Sequence, residues 1–254
     1  DEADKMFEMG FIDDVKKIIS YLKKDRQTLL FSATITSQVH HIVKNYMKNP
    51  ILIKVKSYVD EEKLIQNYYD VTFKDKFSLL VHLLKKEYKG LTIIFCATRR
   101  IVDILTRNLN SIGIKTGKLH GGLSQNKRKE SIDMFHSNRF DILVASDVAA
   151  RGLDIKNVSH IINYDIPKTS NEYIHRIGRT ARAGDYGKVI SLLSEQDYDN
   201  FRVVLKDRAL IVKKLELPEF QRIPILKQSR HSDEGYSHYN SKRRFHKREF
   251  RRYR

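Results

Sequence analysis

Two short apolar runs constrain this chain more than any other feature. Leu91-Thr92-Ile93-Ile94-Phe95 and Ile142-Leu143-Val144 are apolar at consecutive positions, not at alternate ones. A strand with one wet face alternates, whereas a continuous run needs cover on both faces. The fold class that follows is α/β, a parallel sheet between layers of helix. Strands are predicted at 65–73, 91–97, 115–120, 141–146, 159–164 and 188–193. Helices are predicted at 76–88, 100–112, 125–137 and 170–177. Gly90, Gly113 and Gly187 fall at junctions between these elements. Upstream, 28–31 and 51–55 read as strands around a helix at 37–48, and the polar stretch 56–64 reads as a linker.

The chain has 254 residues, 41% of them hydrophobic, which is enough to build a globular core. Its single cysteine, Cys96, excludes an intramolecular disulfide and a cysteine metal cluster. The position of Cys96 inside an apolar run predicts a buried structural thiol. No apolar stretch approaches the roughly 18 residues of a bilayer span. No signal peptide opens the chain, which begins without Met, and the expected setting is reducing, intracellular and cytoplasmic. The net charge is +17. Residues 225–254 carry ten basic side chains against three acidic ones. Such a field attracts polyanions, nucleic acid above all. On charge alone, a basic protein without a special ligand is an equally good reading.

Four strings then occur in order: Asp1-Glu2-Ala3-Asp4, Phe31-Ser32-Ala33-Thr34, the run from Asp141 to Asp154, and His175-Arg176-Ile177-Gly178-Arg179-Thr180-Ala181-Arg182. In that order they resemble motifs II, III, V and VI of the DEAD-box RNA helicases of superfamily 2, and the resemblance covers Asp1 to about Leu205. It implies a RecA-like domain at 65–207, preceded by the trailing part of a first RecA-like domain at 1–55. An extension occupies 208–254, and its basic tail beyond Gln228 is expected to be disordered. The sequence would begin at motif II, without a Walker A loop. The implied ligands are ATP, Mg²⁺ and RNA, the last held mainly through its backbone. The implied activity is RNA-stimulated ATP hydrolysis by a monomer, with protein partners possible on the second domain.

The resemblance also implies roles. Asp1 would hold Mg²⁺ and Glu2 would act as general base toward the attacking water. Asp4 would tie motif II to motifs III and VI, with a surface or capping carboxylate as the plainer reading. Ser32 and Thr34 would couple the ATP site to RNA, against a plain N-cap before 37–48. Arg179 and Arg182, three apart and so on one face if helical, would reach the γ-phosphate. His175 would meet the Asp1–Asp4 loop. Asp147, Gly152 and Asp154 would border the nucleotide. Arg99, Gly121, Gln125, Arg128, Ser146 and Arg151 would grip RNA, with Ser124 as the N-cap before Gln125. In the competing reading, Arg176, Arg179 and Arg182 form a generic basic helix.

Three other functions fit the sequence less fully: an RNA-binding or annealing module without ATPase activity, a superfamily 2 DNA translocase, and a protein-docking adaptor. One lookalike is set aside. Gly113-Ile114-Lys115-Thr116-Gly117-Lys118-Leu119 has one spacer too few for a P-loop and no Ser or Thr after Lys118.

Overall fold

A computed structural model describes residues 1–54, 64–86, 90–150, 155, 158–180, 187–206 and 210–226. The first segment carries three helices, α1 (Ala3–Glu8), α2 (Ile12–Ser20) and α3 (Ser37–Tyr46). They close over a small core of Ala3, Phe7, Val39 and Ile42. The predicted strands at 28–31 and 51–55 do not form over 28–31 and 51–54. Leu29 is 67% exposed and Ile51 88% exposed. An apolar run becomes a strand only when a neighbouring strand takes up its amides and carbonyls, and none does so here among the described residues.

The rest is one doubly covered sheet. Its elements in chain order are β1 (Leu64–Asp70), α4 (Lys76–Lys86), β2 (Thr92–Cys96), α5 (Arg99–Ser111), β3 (Thr116–Leu119), α6 (Gln125–His136) and β4 (Ile142–Ser146). Then follow α7 (Asp147–Ala150), β5 (His160–Asn163), α8 (Ser170–Ile177), β6 (Gly187–Leu193), α9 (Tyr198–Leu205) and β7 (Lys213–Leu215). The strand order is β3-β4-β2-β5-β6-β1-β7, parallel throughout. This is a RecA-like α/β fold.

The consecutive apolar residues divide between the two faces as their spacing requires. Ile93 and Phe95 of β2 join Phe135, Tyr173, Ile177 and Phe201 from α6, α8 and α9. Ile94 and Cys96 point the other way, into Leu79, Leu80, Val102 and Leu105 from α4 and α5. Cys96 is fully buried, and burial, reinforced by nearby Asp165, pushes its thiol well above its ordinary pKa. The rejected lookalike is the turn after α5 followed by β3; Gly113 takes φ +83° there.

The sheet runs one strand past residue 207. β7 pairs with β1, and Phe220, Ile223 and Ile225 lie against the α4–α5 face. Asn108 fastens the end of this strap, accepting from the Leu226 amide at 2.7 Å. The part of the extension before the basic tail is therefore built into the sheet domain, with bonding partners for its backbone as well as cover for its apolar side chains; the tail expected to be disordered lies outside the described residues.

Candidate ATP and RNA site at the carboxyl edge

In a parallel sheet, ligands bind where the strands end, in the loops leading to the helices. Among the described residues, the predicted site residues that follow β2, β3 and β4 gather on that edge. Arg99 opens α5 after β2, and Gly121 follows β3. Gln125 and Arg128 lie on the first turn of α6, Ser146 closes β4 and Asp147 opens α7. β3, β4 and β2 are adjacent, with Leu119 and Phe95 both level with Ala145. Arg99, Gly121 and Gln125 are exposed, while Ser146 is buried. Ser124 caps α6, accepting from the Lys127 amide at 3.4 Å. Arg128 reaches Gln125 Oε1 and the Ala149 carbonyl, both at 3.2 Å, and so ties α6 to α7.

The first segment contributes a second cluster. Asp4 is buried, and its Oδ2 accepts from the Thr34 amide at 3.0 Å and the Thr34 hydroxyl at 2.6 Å. Its own amide donates to Ser32 Oγ at 3.2 Å, and Ser32 donates to the Thr34 carbonyl at 2.7 Å. Burial would raise the Asp4 pKa. The Thr34 and Ser32 hydroxyls and the Thr34 and Lys5 amides outweigh it, holding the carboxyl below its ordinary value. Ser32 and Thr34 are thus partners of Asp4; the N-cap of α3 is Thr36, which accepts from the Val39 amide. Asp4 is equally not a surface carboxylate. Glu2 sits just before α1 at φ 53°, ψ 43°, a left-handed conformation uncommon outside glycine that concentrates at functional sites. Exposed Asp1 accepts from the Glu2 amide at 2.7 Å.

Helix α8 brings the two clusters together. His175 Nε2 lies 3.9 Å from Asp4 Oδ2. Alongside, Glu172 is 3.8 Å from Lys5, and Asn171 donates to Glu8 at 3.3 Å. α8 ends at Ile177, so Arg179 is not helical: its amide turns back to the Arg176 carbonyl at 3.2 Å. The helix that a shared face of Arg179 and Arg182 needs does not reach Arg179, since Gly178 and Thr180 continue a helix poorly. A Cβ on Gly178 would lie 3.2 Å from the Ile174 carbonyl oxygen. Arg151, Gly152, Asp154 and Arg182 lie outside the described residues.

Arg176 is the residue whose place the sequence did not reveal. It is 2% exposed, ending the reading of a basic helix presented to RNA. Its guanidinium bonds both oxygens of Asp147, Asn163 Oδ1 and the Asp165 carbonyl, and stacks 5.0 Å from the Phe95 ring. Asp147, expected beside the nucleotide, is therefore committed to an internal ion pair. No sequence signal separates a buried arginine from its exposed neighbours in the same string.

Two family profiles match, "DEAD/DEAH box helicase" over residues 1–42 and "Helicase conserved C-terminal domain" over residues 75–184. The crystallised chain of the Escherichia coli DEAD-box protein SrmB is 41% identical, with 91% of it covered by 61% of this chain, at a TM-score of 0.57. The chain belongs to the DEAD-box helicase family. Among curated DEAD-box relatives, the ATP-dependent RNA helicase CshA of Listeria monocytogenes is 41% identical over 219 residues. That match takes in 86% of this chain and 42% of the relative. Yeast Dbp5 bound to RNA and ADP BeF3 is 32% identical at a TM-score of 0.72, covering 84% of this chain and 57% of that one. The chain spans about two-fifths of the length of the CshA relatives it matches.

Proposed function

We propose that the complete protein is an ATP-dependent RNA helicase, which hydrolyses ATP when RNA is bound and uses the cycle to separate duplexes or remodel RNA–protein complexes. The observation that carries this reading is the Asp4 carboxylate, gripped by Thr34 on one side and faced by His175 of α8 on the other. That contact joins motif II to motif VI across two separately cored segments. A site divided in this way is assembled by closure of the segments and dispersed by their opening.

In this reading Glu2 orients and deprotonates the attacking water, and Arg179 and Arg182 place fixed positive charge on the γ-phosphate. Exposed Asp1 suits Mg²⁺, which takes one or two protein carboxylates and otherwise water and phosphate oxygens. When bound, that ion neutralises charge between the β- and γ-phosphates. Gly152 and Asp154 border the nucleotide, with Asp147 acting on it only through Arg176. Arg99, Gly121, Gln125, Arg128, Ser146 and Arg151 hold the RNA backbone, which carries little sequence information. Kinship with Dbp5, whose structure holds RNA and ADP BeF3, supports both ligands. SrmB, bound to the protein RraA, supports a protein partner for the sheet domain.

The test is RNA-stimulated ATPase activity of the complete protein. Glu2→Gln and Arg179→Ala should each abolish it, and undiminished turnover in either variant overturns the assignment. A second reading concerns the 254 residues by themselves. They contain no Gly-rich loop ending in Lys-Ser or Lys-Thr. In isolation they are proposed to bind or anneal RNA without turnover. Turnover by the purified chain that disappears in Glu2→Gln would refute this.

A further inference from the structure

His120 directly follows β3 and is buried, 6% exposed, at the edge proposed for RNA. A buried imidazole needs defined partners. Its Nδ1 accepts from the Gly122 amide at 3.1 Å, which leaves Nε2 as the N–H of the neutral ring. Nε2 lies 3.3 Å from Asp103 Oδ1 on α5 without forming a hydrogen bond, so this contact is electrostatic. Asp103 also receives Lys118 Nζ at 2.5 Å. Burial opposes ionisation of Asp103, but Lys118 and His120 beside it outweigh burial and hold its pKa below the ordinary value.

The turn that follows is packed against this ring. A Cβ added to Gly122 would meet His120 Nδ1 at 3.1 Å, Cε1 at 3.2 Å and the Cδ of Arg99 at 3.4 Å. The Leu123 amide closes the turn onto the His120 carbonyl at 3.1 Å, and the next residue, Ser124, caps α6. The ring therefore sets where the Gly121–Gly122 backbone lies, and that backbone sets the spacing between Arg99 and the first turn of α6.

We infer that His120 is a positioning residue for RNA, holding the Gly121–Gly122 turn so that Arg99 and the amides and Arg128 of α6 meet one phosphate backbone together. This rests on the reading of the carboxyl edge as the RNA site. The acceptor at Nδ1 is the working atom, and Asp103 keeps the ring turned so that Nδ1 faces the turn.

The two amide replacements separate these atoms. Asn places its oxygen near Nδ1, whereas Gln places its amide near Nε2. Binding of the 254-residue chain to a fluorescent single-stranded oligouridylate is measured by anisotropy at fixed salt, with thermal melts alongside. His120→Gln should weaken binding roughly 3- to 10-fold, the scale of one hydrogen bond. His120→Asn should stay within about twofold of the parent chain. Gly122→Ala, which leaves the ring intact but moves the turn, should weaken binding as His120→Gln does, and it serves if His120→Gln does not fold. Arg99→Ala and Arg128→Ala test the underlying reading. If they weaken binding while His120→Gln and Gly122→Ala do not, the positioning role is wrong. Equal losses in His120→Gln and His120→Asn also overturn it, since ring shape and not the acceptor would then matter. If neither arginine variant loses affinity, the edge is not the RNA site and the reading beneath the inference falls.

Discussion

Arg176 holds Asp147 in a two-pronged grip under the carboxyl edge of the sheet, Nε to Oδ1 at 2.6 Å and Nη2 to Oδ2 at 2.8 Å. The pair joins α8, which carries His175, to the first residue of α7, next to Ser146 at the end of β4. Removing one member of a buried pair strands the other charge, which costs about 3–5 kcal/mol. Arg176→Ala should lower the unfolding free energy of the chain by that amount in a denaturant titration. Arg176→Lys should recover only part of it, because an ammonium cannot make two parallel bonds. The double variant Arg176→Met with Asp147→Leu should lose clearly less than the sum of its single changes.

The Asp4 carboxyl links folding to acid. Its folded pKa lies below the ordinary 3.8, so its contribution to stability is complete above that value and is lost as pH falls through the lower folded one. Thr34→Val removes the 2.6 Å hydroxyl donor, the largest of the influences that lower the pKa, so the folded pKa should rise toward or past the ordinary value. The acid loss of stability should then begin at higher pH than in the parent, and Thr34→Ser should restore the parent profile. Unfolding free energies measured across roughly pH 2–5 decide this. An unmoved profile in Thr34→Val would show that the hydroxyl does not hold the carboxyl.

Gly117 lies within β3, where a glycine marks a close approach. A Cβ there would come within 2.0 Å of the Phe140 ring. Phe140 packs on Phe135 at 5.9 Å between centroids, so it has little room to retreat. Gly117→Ala should destabilise the chain by about 1–3 kcal/mol. The combination with Phe140→Leu should be less damaging than Gly117→Ala alone, read from melting midpoints.

The β2 and β4 runs were legible in the sequence because covering both faces of a strand leaves a pattern that no amphipathic element copies. The helix at Ser170–Ile177 was legible from its period. By the same logic, 28–31 and 51–54 misled: apolar content records a tendency to be covered, and strand pairing depends on a neighbour that the run itself does not encode. Thr34 was legible as a candidate because its motif is short and ordered, and its bond to Asp4 explains why a hydroxyl is needed there. Arg176 was not. Its burial depends on Asp147, Asn163 and Phe95, three positions scattered over the start of α7, β5 and β2. Lys76 is a similar case, a lysine 1% exposed because Asp197 Oδ2 and the Tyr164 carbonyl each take its ammonium at 2.7 Å.

The strap from β7 to Leu226 escaped the sequence reading because its apolar residues follow neither the helical nor the strand period. Their partners explain them. Leu215, Phe220, Ile223 and Ile225 cover the α4–α5 face, Ser78 accepts from the Ile223 amide at 3.0 Å, and Asn108 bonds Leu226. Each of the four side chains is partly buried, contributing roughly half of the ~1.5–3 kcal/mol of full burial, or about 3–6 kcal/mol together. Two truncations isolate this. A chain ending at 226 keeps the strap, and a chain ending at 206 loses it. The shorter chain should be less stable than the longer one by about 3–6 kcal/mol in a denaturant titration. The amides of β1 that pair with β7 should also exchange faster with solvent, since strand order gives that side of β1 no other partner. Equal stability of the two truncations would mean that the strap rests on the domain without holding it together.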